Sequence, residues 1–216
     1  MTSMRHPDSG WLMDYACGHL SPAFDAVIAT HLLGCAECRR DLELAERLGA
    51  EVMVNDGLLA PRLSAEDVLG TQRPIADSLG WRPSSAVQGA RDLTAVASTY
   101  LSLGEPALRW RSVGGGVAMA KLRGGEGDRL WLLRAQPGAV LPRHSHHGSE
   151  LTVVLQGAYV IDDQVFSVGD LEDADESVTH QPIVTTRGEC LCLAATAGPL
   201  RFASWPARLA QHYLGI

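Results

Sequence analysis

Apolar positions recur at helical spacing through the first third of the chain, then give way to short strand-like runs beyond about residue 96. Trp11, Leu12, Tyr15 and Ala16 follow Asp8-Ser9, either of which can cap a helix by accepting from a free backbone N–H. Ser21-Pro22 is a second start signal, because proline in the first turn gives up only an N–H that would be unpaired there. The helix it opens carries Phe24, Val27, Ile28 and His31 along one face. A third helix is predicted from Ala36 to Asn55, with Leu42, Leu44, Ala45, Leu48, Val52 and Met53 apolar. Ser64 and Asp67 make a capping box for a short fourth helix over 64–69.

From Gly70 to Asp92 the composition shifts to Pro, Gly, Ser, Gln and Arg, which reads as a linker. Strands are then predicted at 108–113, 117–122, 129–134, 151–155 and 189–193, separated by glycine-rich turns. Many short strands at close spacing specify an antiparallel barrel or sandwich. The expected fold class is therefore α+β in two domains. An all-α helical unit occupies 1–70, a linker 71–95, an all-β barrel 96–200 and a C-terminal tail 201–216.

Composition changes the picture in three places. No run approaches the roughly 20 apolar residues of a membrane span, and the N-terminus lacks the apolar core of a signal peptide, so the expected location is cytoplasmic. Five cysteines, an odd number without a secretion signal, argue against a disulfide framework and leave reduced thiols free for metal. A net charge of −7 with no basic run excludes direct nucleic-acid binding on charge grounds. Residues 1–70 hold 11 acidic against 5 basic side chains, so the helical unit is suited to a basic partner.

His31-Leu-Leu-Gly-Cys35-Ala-Glu-Cys38 is the sharpest feature of that unit. Its three donors stand at i, i+4 and i+7, on one side of a helical segment. Sulfur and imidazole together suit tetrahedral zinc. A lone Cys-x-x-Cys would also fit a redox pair, but a redox pair needs no histidine four residues earlier. A closed zinc site requires a fourth ligand, for which His6, His19 and Cys17 are candidates; spacing favours His6 slightly, since it lies on a free segment before the first helix. His6 with His31-x3-Cys35-x2-Cys38 resembles the zinc-binding anti-sigma domain over residues 1 to about 70. The resemblance implies that His6, His31, Cys35 and Cys38 bind a structural zinc. It also implies that the helices wedge between the two promoter-reading domains of an extracytoplasmic-function sigma factor.

The second constellation lies in the strands. His144 and His146 alternate by two, which puts both imidazoles on one face of a strand, and Glu150 follows after a short turn. Such donors suit Zn, Mn, Fe or Ni. The stretch Gly138-x5-His144-x-His146-x3-Glu150-x6-Gly157 resembles the first cupin motif at every fixed position. Gly169 and His180 have the separation of the second motif, although Asp175, Ser177 and Val184 stand where that motif has Pro, Gly and Asn. The resemblance implies a jelly-roll barrel holding zinc or another divalent metal on His144, His146, Glu150 and His180. His147 is next in line for the fourth place, with a spacing that points it outward. Cys190-Leu-Cys192 puts two thiols on one strand face, either as small core residues or as oxidisable groups near the metal.

A His-x3-Cys-x2-Cys helical domain, a linker and a single cupin, in that order, is similar over the whole length to the ChrR-type zinc-binding anti-sigma factors. The resemblance implies a regulator rather than an enzyme, in a one-to-one complex with its sigma factor, released on oxidative stress of the singlet-oxygen type through the cupin. Homodimers of the free chain are left open, because cupins often pair through their sheets. Two rivals are a metal-dependent cupin dioxygenase with an accessory zinc domain and a scaffold whose cupin binds a small ligand without chemistry.

Overall fold

The structure is a computed structural model that describes residues 4–55, 93, 95–96, 108–122 and 127–203. The predicted helix at 64–69, most of the linker and most of the tail lie outside the described residues. The three predicted helices are present as α1 (Ser9–Ala16), α2 (Pro22–Gly34) and α3 (Ala36–Asn55). Of the two capping candidates for α1, Asp8 does the work: its Oδ1 accepts from Gly10 N at 2.8 Å. Ser21 makes no capping bond, so α2 starts on the fixed φ of Pro22 alone. The chain leaves helical geometry at Cys35 (φ −105°, ψ 105°) and turns at once into α3.

Twelve strands follow among the described residues. They are β1 (Trp110–Gly114), β2 (Val117–Leu122), β3 (Arg129–Ala135), β4 (His144–His146), β5 (Glu150–Gln156) and β6 (Ala158–Ile161). The rest are β7 (Gln164–Ser167), β8 (Leu171–Ala174), β9 (Thr179–His180), β10 (Ile183–Val184), β11 (Cys190–Thr196) and β12 (Leu200–Phe202). One six-stranded sheet runs β1-β2-β3-β11-β5-β8, and two three-stranded sheets run β10-β6-β7 and β12-β4-β9. Every strand pairing is antiparallel.

The fold is the expected α+β arrangement of a helical unit followed by a barrel: the three helices pack on one another, and α2 also packs on the large sheet. Phe24, Val27 and Ile28 of α2 share one core with Leu132, Leu151, Val153, Leu155, Leu191 and Leu193 of the large sheet. The other face of that sheet contributes Val154, Cys190 and Cys192 to a second core inside the barrel, with Tyr159, Phe166 and Val184. A sheet covered on both faces explains why β11 is buried at all seven positions and reads as a continuous apolar run. Burial of each large α2 side chain is worth roughly 1.5–3 kcal/mol, so the contact is a substantial one. Leu93, which the sequence assigns to the linker, belongs to this shared core and is only 6% exposed. The chain ahead of α1 lies along β8, the edge strand, where Leu171 N donates to the Arg5 carbonyl at 3.2 Å.

Candidate metal centres

In the helical unit, the turn between α2 and α3 folds Cys35 and Cys38 back towards His31, and the segment before α1 brings His6 across them. His6 Nδ1 lies 3.3 Å from both Cys35 Sγ and Cys38 Sγ, and His31 Nε2 lies 3.3 Å from Cys38 Sγ. The remaining nitrogens are occupied elsewhere. His6 Nε2 faces the Glu37 carboxylate at 3.4 Å, and His31 Nδ1 donates to the Gly169 carbonyl at 2.8 Å. That partner puts the proton on Nδ1 and leaves Nε2 as a lone pair among the sulfurs, as metal-binding histidines require. Burial pushes the Cys38 thiol up to about 12, with further contributions from the hydrogen bond to Cys35 and its charge. The thiolate form therefore needs a cation beside it, and a buried two-sulfur, two-nitrogen cluster fits zinc. His19 and Cys17, the other candidates for the fourth place, are not in this group; Cys17 is exposed, and His19 faces Asp14 at 4.0 Å on the surface.

In the barrel, β4, β5 and β9 deliver His144, His146, Glu150 and His180 to one point, and β4 and β9 pair with His144 opposite His180. His144 Nδ1 donates to the Pro142 carbonyl at 2.8 Å, and His180 Nδ1 donates to Glu172 Oε1 at 2.6 Å. Both Nε2 atoms are then bare acceptors, yet they lie 3.1 Å apart, with His146 Nε2 at 3.0 Å from His180 Nε2. Nitrogen lone pairs brought this close repel unless a positive charge sits between them. A proton can serve that purpose for one pair; a divalent ion serves all three rings and the Glu150 carboxylate together. The donor set therefore fits a metal ion, and an O/N set of this kind accepts zinc and several other divalent metals. His146 Nδ1 lies 3.3 Å from Glu150 Oε2 without the alignment of a hydrogen bond.

Electrostatics support the same reading. Burial, then the charge of His180, lowers His144 to about 4; burial, then His144 and His180, lowers His146 to about 3. Both rings are thus held neutral, which is the ligating form. Burial works against a charge on His180 too, but the hydrogen bond and charge of Glu172 outweigh it and the net shift is upward. Burial, with the charge of Glu172 next, raises Glu150 to about 8, so this carboxylate ionises readily only with a counter-charge.

The site opens on a cavity of about 280 Å³ between the sheets. Its walls are mostly apolar, with Met119, Trp131, Leu133 and Phe202 among them. Cys190 and Cys192 also line it, buried, with their sulfurs 3.6 Å apart. The Cys192 thiol is raised well above its ordinary range by the hydrogen bond with Cys190 and by burial. His147 points outward, with Arg201 Nη2 at 2.9 Å from its Nε2, as its odd spacing predicts.

Sequence reasoning missed Glu172 and Tyr159. Glu172 receives both His180 and the Tyr159 hydroxyl, the latter at 2.5 Å. The available signal was weak: strand alternation across Leu171-Glu172-Asp173-Ala174 separates the two acids onto opposite faces. It also missed the Gly169 carbonyl behind His31, which no local pattern encodes.

A family model described as the ChrR cupin-like domain matches residues 104–200. The anti-sigma-E factor ChrR of Cereibacter sphaeroides (strain ATCC 17023) is 37% identical over 216 residues, the whole of both chains. Among solved structures, Rhodobacter sphaeroides SigE in complex with the anti-sigma ChrR matches with a TM-score of 0.67 and 34% identity, over 90% of this chain and 99% of that one. An RmlC-like cupin protein from Ralstonia eutropha matches with a TM-score of 0.42 and 21% identity, over 52% of this chain and 83% of that one.

Proposed function

Because the chain belongs to the ChrR family of anti-sigma factors, we propose that it binds one extracytoplasmic-function sigma factor, one-to-one, in the cytoplasm and keeps it from RNA polymerase. The observation that carries this reading is the outer face of α3. Leu44, Leu48 and Val52 stand there at i, i+4 and i+8, exposed by 49%, 54% and 57%. Asp41, Glu43, Glu46 and Glu51 are exposed on the same helix. Arg40 and Arg47 are exposed on it too, and Asp41 and Glu51 flank the stripe; an apolar strip with mixed charge beside it, on a helical unit of net negative charge, suits a partner whose own surface is apolar and basic. Among the described residues no helix is long and apolar enough to cross a membrane.

The two clusters divide the work. A structural zinc on His6, His31, Cys35 and Cys38 ties the chain before α1 to the α2–α3 corner, and so fixes the angle at which α3 is presented. Zinc or another divalent metal on His144, His146, Glu150 and His180 would supply a Lewis-acidic centre facing the cavity. The barrel then acts as the sensor rather than as an enzyme, and oxidative stress of the singlet-oxygen type, acting there, releases the sigma factor. Cys190 and Cys192 are close enough to record an oxidant, but both are sequestered and Cys192 is held as a neutral thiol. Their oxidation therefore follows a disturbance of the barrel and does not start it. The mechanism requires the stressed form to bind the sigma factor less well.

The test is titration of the chain with a sigma factor of this class, followed by transcription with RNA polymerase. Leu48→Glu should weaken binding by roughly tenfold or more and restore transcription, with the thermal midpoint nearly unchanged, because an exposed side chain contributes little to folding. Undiminished inhibition by Leu48→Glu would count against this face as the contact.

A further inference from the structure

The stretch from Gly169 to Asp173, the end of the turn before β8 and the first residues of that strand, touches both metal clusters. On the inner face, Glu172 holds the His180 imidazole through Nδ1 at 2.6 Å. On the outer side, the Gly169 carbonyl holds His31 through its Nδ1 at 2.8 Å. Asp170 and Asp173 grip the segment that carries His6. Asp170 Oδ1 accepts from Arg5 N at 2.8 Å, and Asp173 Oδ2 accepts from Trp11 Nε1 at 2.9 Å and from Asp8 N at 3.2 Å. The Arg5 guanidinium lies over the Phe166 ring at 4.7 Å, and Leu171 N donates to the Arg5 carbonyl.

The backbone of this stretch has little freedom to absorb a shift. β8 is paired on its other side with β5, where Glu150, itself a barrel donor, stands opposite Ala174 and Thr152 opposite Glu172. Gly169 N donates to the Val154 carbonyl and Val154 N to the Asp170 carbonyl. At Gly169 (φ +92°) a Cβ would sit 2.8 Å from Met4 Cε and 3.4 Å from Leu93 Cδ1, and a Cβ on Gly34 of α2 would meet the same Leu93 Cδ1 at 2.6 Å. Leu93 therefore fills the space between the helix and the turn, and the absence of a side chain at both glycines lets it do so.

We propose that Gly169–Asp173 couples the two centres, so that filling or emptying the barrel site changes the metal affinity of the helical site. Glu172 is buried, and apart from His180 its hydrogen-bond partner is the Tyr159 hydroxyl. When the barrel ligands rearrange, this carboxylate must follow His180 or lose its partner, and β8 moves with it. The movement is delivered to the acceptor that orients His31 and to the anchors of the His6 segment. Outer partners of this kind alter metal affinity by roughly 10–100-fold when lost. Coupling is reciprocal, so helical-site occupancy acts back on the barrel. The inference rests on both clusters binding metal, and is independent of the sigma-factor partner.

Cobalt(II) bound to the full chain is the probe. Of the two donor sets only the helical one contains sulfur, so the thiolate-to-cobalt charge-transfer band, measured in a chain carrying Cys190→Ser and Cys192→Ser, reports its occupancy separately. The midpoint of that band against a chelator is compared in that chain and in its Glu150→Ala variant. The helical site of Glu150→Ala should lose cobalt at roughly fivefold less chelator or lower. Trp11→Phe combined with Asp173→Asn changes no ligand and should shrink that difference. Glu172→Gln, with all eight donors retained, should shift both sites together. Equal midpoints with the band present overturn the coupling alone, as does a Glu172→Gln shift confined to the barrel. Absence of the band would remove the metal reading of the helical site, and the coupling with it.

Discussion

A histidine ligates through one nitrogen, and the contact made by the other decides whether that lone pair is available. His6, His31, His144 and His180 each have the second nitrogen facing an acceptor, from Glu37, Gly169, Pro142 and Glu172 respectively. Cys35→Ser or Cys38→Ser should abolish zinc retention and sigma-factor binding, since structural zinc in small sites supplies about 10 kcal/mol or more. Metal analysis and pull-down check this, and inhibition retained by both variants would contradict it. His144→Ala and Glu150→Ala should keep basal inhibition and lose the response to oxidant, read as transcription before and after treatment. Asp25 gives a pH prediction. Burial raises its carboxyl from 3.8 to about 6, so the folded chain binds a proton the unfolded chain has released. Stability then falls as pH rises through this window. Asp25→Asn should raise the unfolding free energy at pH 8 by about 1 kcal/mol after solvent screening, read by denaturant titration, and the gain should shrink at pH 5. His31, Cys35 and Cys38, and His144 and His146, were legible as candidate donors from their spacing, i, i+4, i+7 across the α2–α3 corner and i, i+2 on a strand, whereas His6 and His180 come from distant segments. Glu172 was not legible, since nothing local distinguishes it from Asp173 until the register of β8 is known.

At the scale of elements, α2 and α3 illustrate what periodicity can and cannot reveal. The α3 boundaries followed from its amphipathic pattern and the α2 start from Pro22, while α2 is apolar on most sides because it is buried on most sides. Its cover was implicit in the continuous apolar runs of β5 and β11, which only a sheet buried on both faces would carry. Reading those runs simply as strands gave the helical unit and the barrel but not the packing of α2 on the large sheet. Short strands such as β9 and β10, two residues each, escaped prediction because pairing, not sequence pattern, defines them. Ile28→Ala, on α2 and fully buried, should cost roughly 2–5 kcal/mol. Because its core is shared, denaturation should show the helices and the barrel unfolding together. Separate transitions for far-ultraviolet helix signal and barrel tryptophan fluorescence would refute the common core.

At the scale of the molecule, an acidic helical face, a stapled corner and a metal-ready barrel form one connected object. The exposed stripe on α3 lies on the far end of a chain of contacts that begins at the barrel donors. That arrangement lets an event inside the barrel alter a surface that never touches it, provided the complex has two states with different affinities. Native mass spectrometry of the chain mixed with an extracytoplasmic-function sigma factor tests the central claim most directly. The account predicts a single species made of one chain, one sigma factor and two divalent metal ions. A chain that appears free of metal and unbound, under conditions where it is folded, would contradict it.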